Sequence, residues 1–114
     1  MRKELVAALN ELAYAFHVNN QNHGFNLGEV NISQQLMLIV DEATEAHEEY
    51  RSGHAPNYVY YSDTGKPEGL PTELADIIVR TLALAAALDI DIGLVLEEKH
   101  EYNVSRPFKH DRVF

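Results

Sequence analysis

The sequence predicts an all-α fold, a bundle of four helices with one long loop between the second and the third. Apolar residues recur at spacings of three and four over most of the chain, which is the period of an amphipathic helix. Gly, Pro and Asn cluster between these segments, as expected for loops. A length of 114 residues fits one domain, so we expect a single domain over residues 1–114.

The first two helices are predicted from their apolar stripes. Helix one is expected over about 3–19, with Leu5, Leu9, Leu12, Ala13 and Phe16 at helical spacing. Helix two is expected from Ser33, which is placed to cap it, to about Tyr50. Its expected core stripe is Leu36, Ile39, Val40, Ala43, Ala46 and Tyr50.

The second half of the chain predicts a long connection and two more helices. Residues 52–71 are rich in Gly and Pro, with room for a short strand or hairpin, and Pro71 suits the first turn of helix three. Helix three is apolar on nearly every face up to Leu88, so we expect it to be central and to contact a second subunit. Asp91 is placed to cap helix four, which is expected to run from about Ile92 to Asn103.

Composition excludes several classes of function. The chain has no cysteine, so a bound metal would need oxygen or imidazole ligands. Its net charge of −9 disfavours binding to a nucleic-acid polymer, which depends on clustered cations. No apolar run approaches the roughly 20 residues that span a bilayer, and no signal-peptide pattern opens the chain. We therefore expect a cytoplasmic protein with no membrane partner.

Acidic residues at helical spacing are the candidate chemical groups. Glu42, Glu45 and Glu49 fall on one stripe of helix two, and helix three carries Glu73 and Asp76 beside its apolar faces. A solvated acidic face would explain helix two alone. The helix dipole and an ion pair between Asp76 and Arg80 at i,i+4 would explain helix three alone.

The two acidic pairs together favour a metal site. Two helices that each present carboxylates at i and i+3 would supply four oxygen ligands, Glu42, Glu45, Glu73 and Asp76. Oxygen ligands suit Mg²⁺, with Mn²⁺ as a substitute, and Mg²⁺ completes its shell with water and phosphate oxygens. This pattern indicates a site that handles phosphate.

Three stretches of sequence resemble a known family. They are Glu42-Ala-Thr-Glu45 within helix two, Glu73-Leu-Ala-Asp76 within Gly69–Arg80, and Lys99-His-Glu-Tyr-Asn103 followed by Arg106-Pro107. Together they are similar to the MazG-like nucleoside triphosphate pyrophosphohydrolases of the all-α NTP pyrophosphatase superfamily, over most of the chain.

The resemblance implies a specific reaction and a set of residues. The reaction is magnesium-dependent hydrolysis of nucleoside triphosphates to monophosphate and pyrophosphate, by attack of metal-activated water on the α-phosphorus. The resemblance implies that the four acids are both the catalytic residues and the metal ligands. It implies that Lys99, Asn103 and Arg106 bind the nucleotide, and that the protein is an oligomer, a homodimer or a homotetramer. Arg80 is a further phosphate contact unless it only holds Asp76, and Glu45 or Glu49 is the candidate acceptor of the water proton.

One alternative from another class remains open. The acids would then only keep a helical oligomerisation or regulatory module soluble, and the apolar third helix fits that interpretation equally well. A di-iron bundle is disfavoured, because it needs Glu-x-x-His on two helices and only Glu97–His100 has that spacing.

Overall fold

The computed structural model describes residues 2–24 and 30–107. These residues form helices α1 (Lys3–Asn22), α2 (Ile32–Arg51), α3 (Leu70–Ala87) and α4 (Ile92–Ser105), and strands β1 (Tyr60–Tyr61) and β2 (Pro67–Glu68). The predicted all-α class is confirmed. The long connection between α2 and α3 contains a two-stranded antiparallel hairpin, in which Tyr60 pairs with Glu68.

Helix α3 is the centre of the fold. It packs against α1 on one side and α2 on the other, whereas α4 packs mainly on α1; in the described residues, α1 and α2 do not pack directly against each other. The buried apolar residues of α3 lie in its C-terminal half, at Leu82, Ala83 and Ala85. Leu74 and Ile78, nearer its start, are about half exposed. Within this chain α3 is therefore central, but only part of it is covered.

The helix ends confirm one predicted cap and correct another. The Asp91 side chain accepts a hydrogen bond from the Leu94 N–H at 3.0 Å and caps α4, as predicted. The prediction that Ser33 caps α2 is wrong, because Asn31 has the extended backbone of a cap and its side chain accepts the Gln34 N–H at 3.0 Å. Since an Asn side chain reaches the same backbone N–H groups as Ser, sequence alone did not distinguish the two positions.

The predicted core stripe of α2 is also displaced. Ala46 is buried as predicted, but Leu36 and Val40 are 50% and 49% exposed, and Tyr50 is more exposed still. Glu42, which was not part of the predicted stripe, is buried. The reason is that α2 packs against α3 alone among the helices, so only one narrow face of α2 is covered. That face carries the acidic stripe, and much of the apolar stripe remains in solvent.

The hairpin is fixed at the start of α3 by a close backbone approach. Gly69 precedes α3 with a φ of 112°, and a Cβ at this position would collide with the carbonyl oxygen of Tyr58. Pro71 follows in the first turn, as predicted. Only glycine fits this junction, which sets the hairpin beside the first turn of α3.

None of the helices in the described residues has the length and apolar character needed to cross a membrane.

Candidate functional site

A groove of about 520 Å³ lies between α2 and α3. Its walls carry all four predicted acids, Glu42, Glu45, Glu73 and Asp76. The other lining residues are the two cationic side chains Lys66 and Arg80, the amides Asn20 and Gln35, and the apolar Leu38 and Val79. The groove is therefore a largely polar cavity with an acidic centre.

Helical spacing brings the acids together. Glu42 and Glu45 lie one turn apart on α2, and Glu73 and Asp76 lie one turn apart at the start of α3. Carboxylate oxygens of Glu42, Glu73 and Asp76 all lie within 4.8 Å of one another, which is close enough to share one metal ion. Glu45 lines the same groove at a more exposed position.

Arg80 makes a different ion pair from the one considered at the sequence level. Its Nε donates to Glu42 Oε1 at 2.9 Å, across the interface between α3 and α2. The i,i+4 pairing of Arg80 with Asp76 is therefore not the hydrogen bond that forms, although the Arg80 charge still acts on Asp76. The neighbouring helix supplied a closer acceptor, which the spacing within one helix does not reveal.

Two carboxylate oxygens at the centre of the groove lack a donor. Among the described residues, Glu42 Oε2 and Glu73 Oε2 are buried and have no donor when both acids are ionised, and Glu42 as a whole is only 8% exposed. A buried acceptor without a donor costs about 1–3 kcal/mol, and more when it is charged. These oxygens therefore have free coordination capacity that a cation would satisfy.

The crowding of the acids changes their proton affinities. Burial, followed by shared hydrogen bonds and repulsion from Glu42 and Glu45, raises the pKa of Glu73 to about 8. Burial also raises the pKa of Glu42, but hydrogen bonds from Arg80 and Glu73 outweigh it, and the net pKa is lowered. Burial and the charge of Glu42 raise the pKa of Asp76. Without a cation, Glu73 therefore retains a proton near neutral pH and shares it with Glu42; once that proton is lost, the buried oxygens of the two acids have no donor.

Glu49 has a different environment, although it continues the acidic stripe of α2. Its Oε1 accepts the Tyr60 hydroxyl at 2.7 Å, and its Oε2 lies 2.6 Å from His54 Nδ1. The hydrogen bonds from Tyr60 and His54 lower the pKa of Glu49. Glu49 therefore ties the hairpin to α2, and both of its oxygens are already engaged.

Lys66 is the charged residue of the groove lining that the sequence did not indicate. It lies in the hairpin between Gly65 and Pro67, in a stretch without helical or strand periodicity, so no face or partner was predicted for it. The hairpin places it in the wall of the groove with the four acids. The available signal was the presence of a cation inside a long connection, and such connections are often functional.

The three predicted nucleotide contacts, on α4 and at its C-terminal end, lie elsewhere in this chain. Lys99, Asn103 and Arg106 are exposed and are not among the residues that line the groove. The Lys99 ammonium lies over the ring of Tyr102, 5.0 Å from its centroid. The contacts of α4 are with α1 and, more weakly, α3, so one protomer does not bring these residues to the acids.

Comparisons with known proteins find no matching family model, no similar curated protein and no similar solved structure.

Proposed function

We propose that the protein hydrolyses nucleoside triphosphates to nucleoside monophosphate and pyrophosphate, with Mg²⁺ bound by the acids of the groove. The observation that carries the proposal is the cluster of Glu42, Glu73 and Asp76 carboxylates within 4.8 Å of one another, in which two buried oxygens, on Glu42 and Glu73, have no donor when the acids are ionised. The MazG-like motifs in the sequence support the same reaction. Their four acids are the four that line the groove.

The donor set fits a hard divalent cation. Glu42, Glu73 and Asp76 offer oxygen atoms within 4.8 Å of one another, and Glu45 adds a further carboxylate in the same groove. Mg²⁺ takes oxygen ligands and keeps part of its shell for water and phosphate, and Mn²⁺ accepts the same ligands. Bound Mg²⁺ would supply charge neutralisation at the phosphates and a lowered pKa for water.

The residues of the chain hold the reactants and accept the proton. In the reaction a water oxygen bonds to the α-phosphorus, the bond from that phosphorus to the bridging oxygen breaks, and pyrophosphate leaves. Glu45 is the better-placed proton acceptor, because Glu49 already accepts from Tyr60 and His54. Arg80 holds Glu42 in place through Nε and has its terminal nitrogens left for a phosphate oxygen.

We also propose that the active form is a homodimer or homotetramer. Among the described residues, the buried apolar side chains are four alanines and one leucine, a small core for a chain of this length. Apolar side chains on the uncovered faces of α2 and α3 are about half exposed, namely Leu36, Met37, Val40, Leu74 and Ile78. A second copy covering these faces would bury them, and would supply Lys99, Asn103 and Arg106 to the groove from the C-terminal part of its own α4 and the residue that follows it.

Sedimentation equilibrium should give a mass of two or four chains. Ile78→Arg should lower the measured mass, because it places a charge on the face that the second copy would cover.

The reaction is tested by incubating the protein with standard and base-modified nucleoside triphosphates and Mg²⁺, while pyrophosphate and orthophosphate are measured separately. Pyrophosphate and monophosphate should appear in equal amounts. Asp76→Asn and Glu45→Ala should each lower kcat/KM by at least about 100-fold, because even residues that only support a metal ligand contribute about 10- to 100-fold. Asp41→Asn is the matched control, since Asp41 is an exposed acid of α2 outside the groove.

Two results would contradict the proposal. Release of orthophosphate would place the cleavage at a different bond. Failure to release pyrophosphate from any triphosphate, with the oligomer intact, would favour the non-enzymatic helical module.

A further inference from the structure

The hairpin between α2 and α3 delivers one cation to the acidic groove. Arg80 and Lys66 are the cationic residues among those lining the groove, and Arg80 already donates to Glu42. In the described part of the chain, the Lys66 ammonium has no carboxylate within ion-pair distance. Lys66 is therefore an exposed cation in the groove wall, and its charge acts on Asp76, although no described carboxylate forms an ion pair with it.

The backbone of Lys66 is firmly held. Its carbonyl accepts the Ser62 N–H at 2.9 Å, and its own N–H donates to Ser62 Oγ at 3.1 Å. The Gly65 N–H also bonds to the Ser62 carbonyl at 2.9 Å, which closes the turn. Both backbone polar groups of Lys66 are thus satisfied by one residue, and the side chain starts from a fixed point.

The hairpin itself is braced against both helices that form the groove. On the side of α2, Tyr60 donates to Glu49 and stacks on Tyr58, with ring centroids 5.5 Å apart. On the side of α3, the Thr72 hydroxyl bonds to the carbonyl of Glu68, and Gly69 packs on the backbone of Tyr58. The position of Lys66 relative to the acids is therefore set by contacts to α2 and α3 together.

The charges explain why a cation is useful at this position. Four acids line the groove, and they repel a triphosphate unless cations offset them. Bound Mg²⁺ would offset part of this charge, and Arg80 already uses its Nε to pair with Glu42. A lysine carries three donors on a flexible stem and suits phosphate oxygens as a point charge.

We propose that Lys66 binds the phosphate chain of the substrate directly, so that the hairpin between α2 and α3 is part of the substrate-binding site. This inference rests on the proposed function, because it assigns a contact to the triphosphate that the groove would hydrolyse. It predicts that the groove recognises the polyphosphate through the protein as well as through the metal.

Steady-state kinetics of Lys66→Met test the inference. Loss of one charge-assisted hydrogen bond should raise KM about 10- to 100-fold. Because the contact is made to the bound substrate as well as to the transition state, kcat should change less than about threefold. Lys66→Arg should recover most of the affinity. Lys3→Met, an exposed lysine at the start of α1, is the matched control and should behave as the unaltered protein.

A binding measurement that needs no turnover separates this inference from the proposed reaction. Calorimetric titration with inorganic tripolyphosphate in the presence of Mg²⁺ should show binding to the unaltered protein that weakens about 10- to 100-fold in Lys66→Met. The melting temperature of Lys66→Met should stay close to that of Lys3→Met, since a structural role would lower it.

The outcomes are distinct. Pyrophosphate release with equal KM and tripolyphosphate affinity in Lys66→Met and Lys3→Met would overturn the inference and leave the reaction standing. Absence of pyrophosphate release, with tripolyphosphate binding that still depends on Lys66, would overturn the reaction and support a polyphosphate contact at Lys66. A large loss of kcat with unchanged KM would also overturn the inference.

Discussion

The junction between α1 and α4 and the groove between α2 and α3 satisfy their polar groups in opposite ways. At the junction, Asn10 donates to Asp91 Oδ1 at 2.8 Å and accepts the Gly93 N–H at 2.9 Å. Asp91 Oδ1 also accepts the Leu94 N–H, and these hydrogen bonds lower the pKa of Asp91. In the groove, inner oxygens of Glu42 and Glu73 have no donor.

This difference in hydrogen bonding distinguishes a structural contact from a binding site. The same chain pairs the polar groups of one interface and leaves buried acceptors open in another. Because unpaired buried acceptors are costly, they are typical of sites where a ligand completes the bonding. The junction is therefore a structural contact, and the groove has the properties of a binding site.

The response of the free energy of unfolding to Mg²⁺ should give the largest difference between variants of the groove and variants of the junction. A cation held by the native groove and absent from the unfolded chain should raise the free energy of unfolding by about 2.7 kcal/mol at roughly 100 times its Kd. Thermal unfolding followed during a Mg²⁺ titration measures this. Asp76→Asn should abolish the response, whereas Asn10→Ala, which alters only the junction, should lower stability and keep the response. An equal response to Mg²⁺ in Asp76→Asn and Asn10→Ala would contradict the proposal that the groove binds Mg²⁺.

Gly93→Ala tests the packing of the junction. A Cβ at Gly93 would collide with the backbone carbonyl of Val6 and lie 2.9 Å from its Cγ1. Overpacking of this kind costs up to about 3 kcal/mol, and the better helix propensity of Ala returns about 1, so we expect a net loss of about 2 kcal/mol. Urea unfolding measures it.

The control for this substitution lies two residues further along the same helix. Val95→Ala removes a side chain that is about half exposed and should change stability by less than about 0.5 kcal/mol. Pyrophosphate release by folded Gly93→Ala should equal that of the unaltered protein, because the junction does not line the groove. If Gly93→Ala lowers the rate of pyrophosphate release by more than it lowers the fraction of folded protein, the junction and the groove are coupled.

The pH dependence of stability should expose the crowding of the acids. The pKa of Glu73 is raised from 4.5 to about 8 in the folded state, so its contribution to stability is complete below about 4.5 and is lost as pH rises through 8. With a chelator present, the free energy of unfolding of the unaltered protein should therefore fall, relative to that of Glu73→Gln, as the pH rises from about 4.5 to 8. Denaturant unfolding of both proteins at several pH values measures the contribution of Glu73 together with its effect on the neighbouring Glu42 and Glu45. A difference that stays constant over the window would show that Glu73 ionises normally.

Tyr60→Phe should give the smallest effect. It removes the hydroxyl that donates to Glu49 and loosens the hairpin without touching the groove. We expect KM to rise about two- to fivefold, less than the loss of a direct charge-assisted contact. Tyr61→Phe is the matched control, because Tyr61 is the neighbouring strand residue and is largely exposed. Equal KM values for the two variants would mean that the Glu49 brace does not position Lys66.

Some features of the site follow from the sequence because they depend on local spacing. An offset of three on a helix puts Glu42 beside Glu45 and Glu73 beside Asp76, whatever surrounds them. The Asp91 cap is equally local, since its side chain bonds three residues ahead. The pairing of the two acidic pairs followed from the motif and is realised for Glu42, Glu73 and Asp76.

Other features depended on contacts between segments distant in sequence. Arg80 lies 38 residues from Glu42, its partner, and helical spacing within α3 pointed to Asp76 instead. The core stripe of α2 was misplaced for the same reason, because Leu36 and Val40 would be buried only if a second helix covered them. Lys66 had no periodic pattern to place it, and only the hairpin geometry brought it to the groove.

By itself, the sequence determined the helices, their acidic stripes and the α4 cap, since these are set by interactions between residues three or four apart. The tertiary structure decided which acid Arg80 pairs with, which carboxylate oxygens are buried together, and that a loop lysine lines the same groove. The physical reason is that burial, hydrogen-bond pairing and charge repulsion depend on distances between segments. These distances exist only once α2, α3 and the hairpin are packed together.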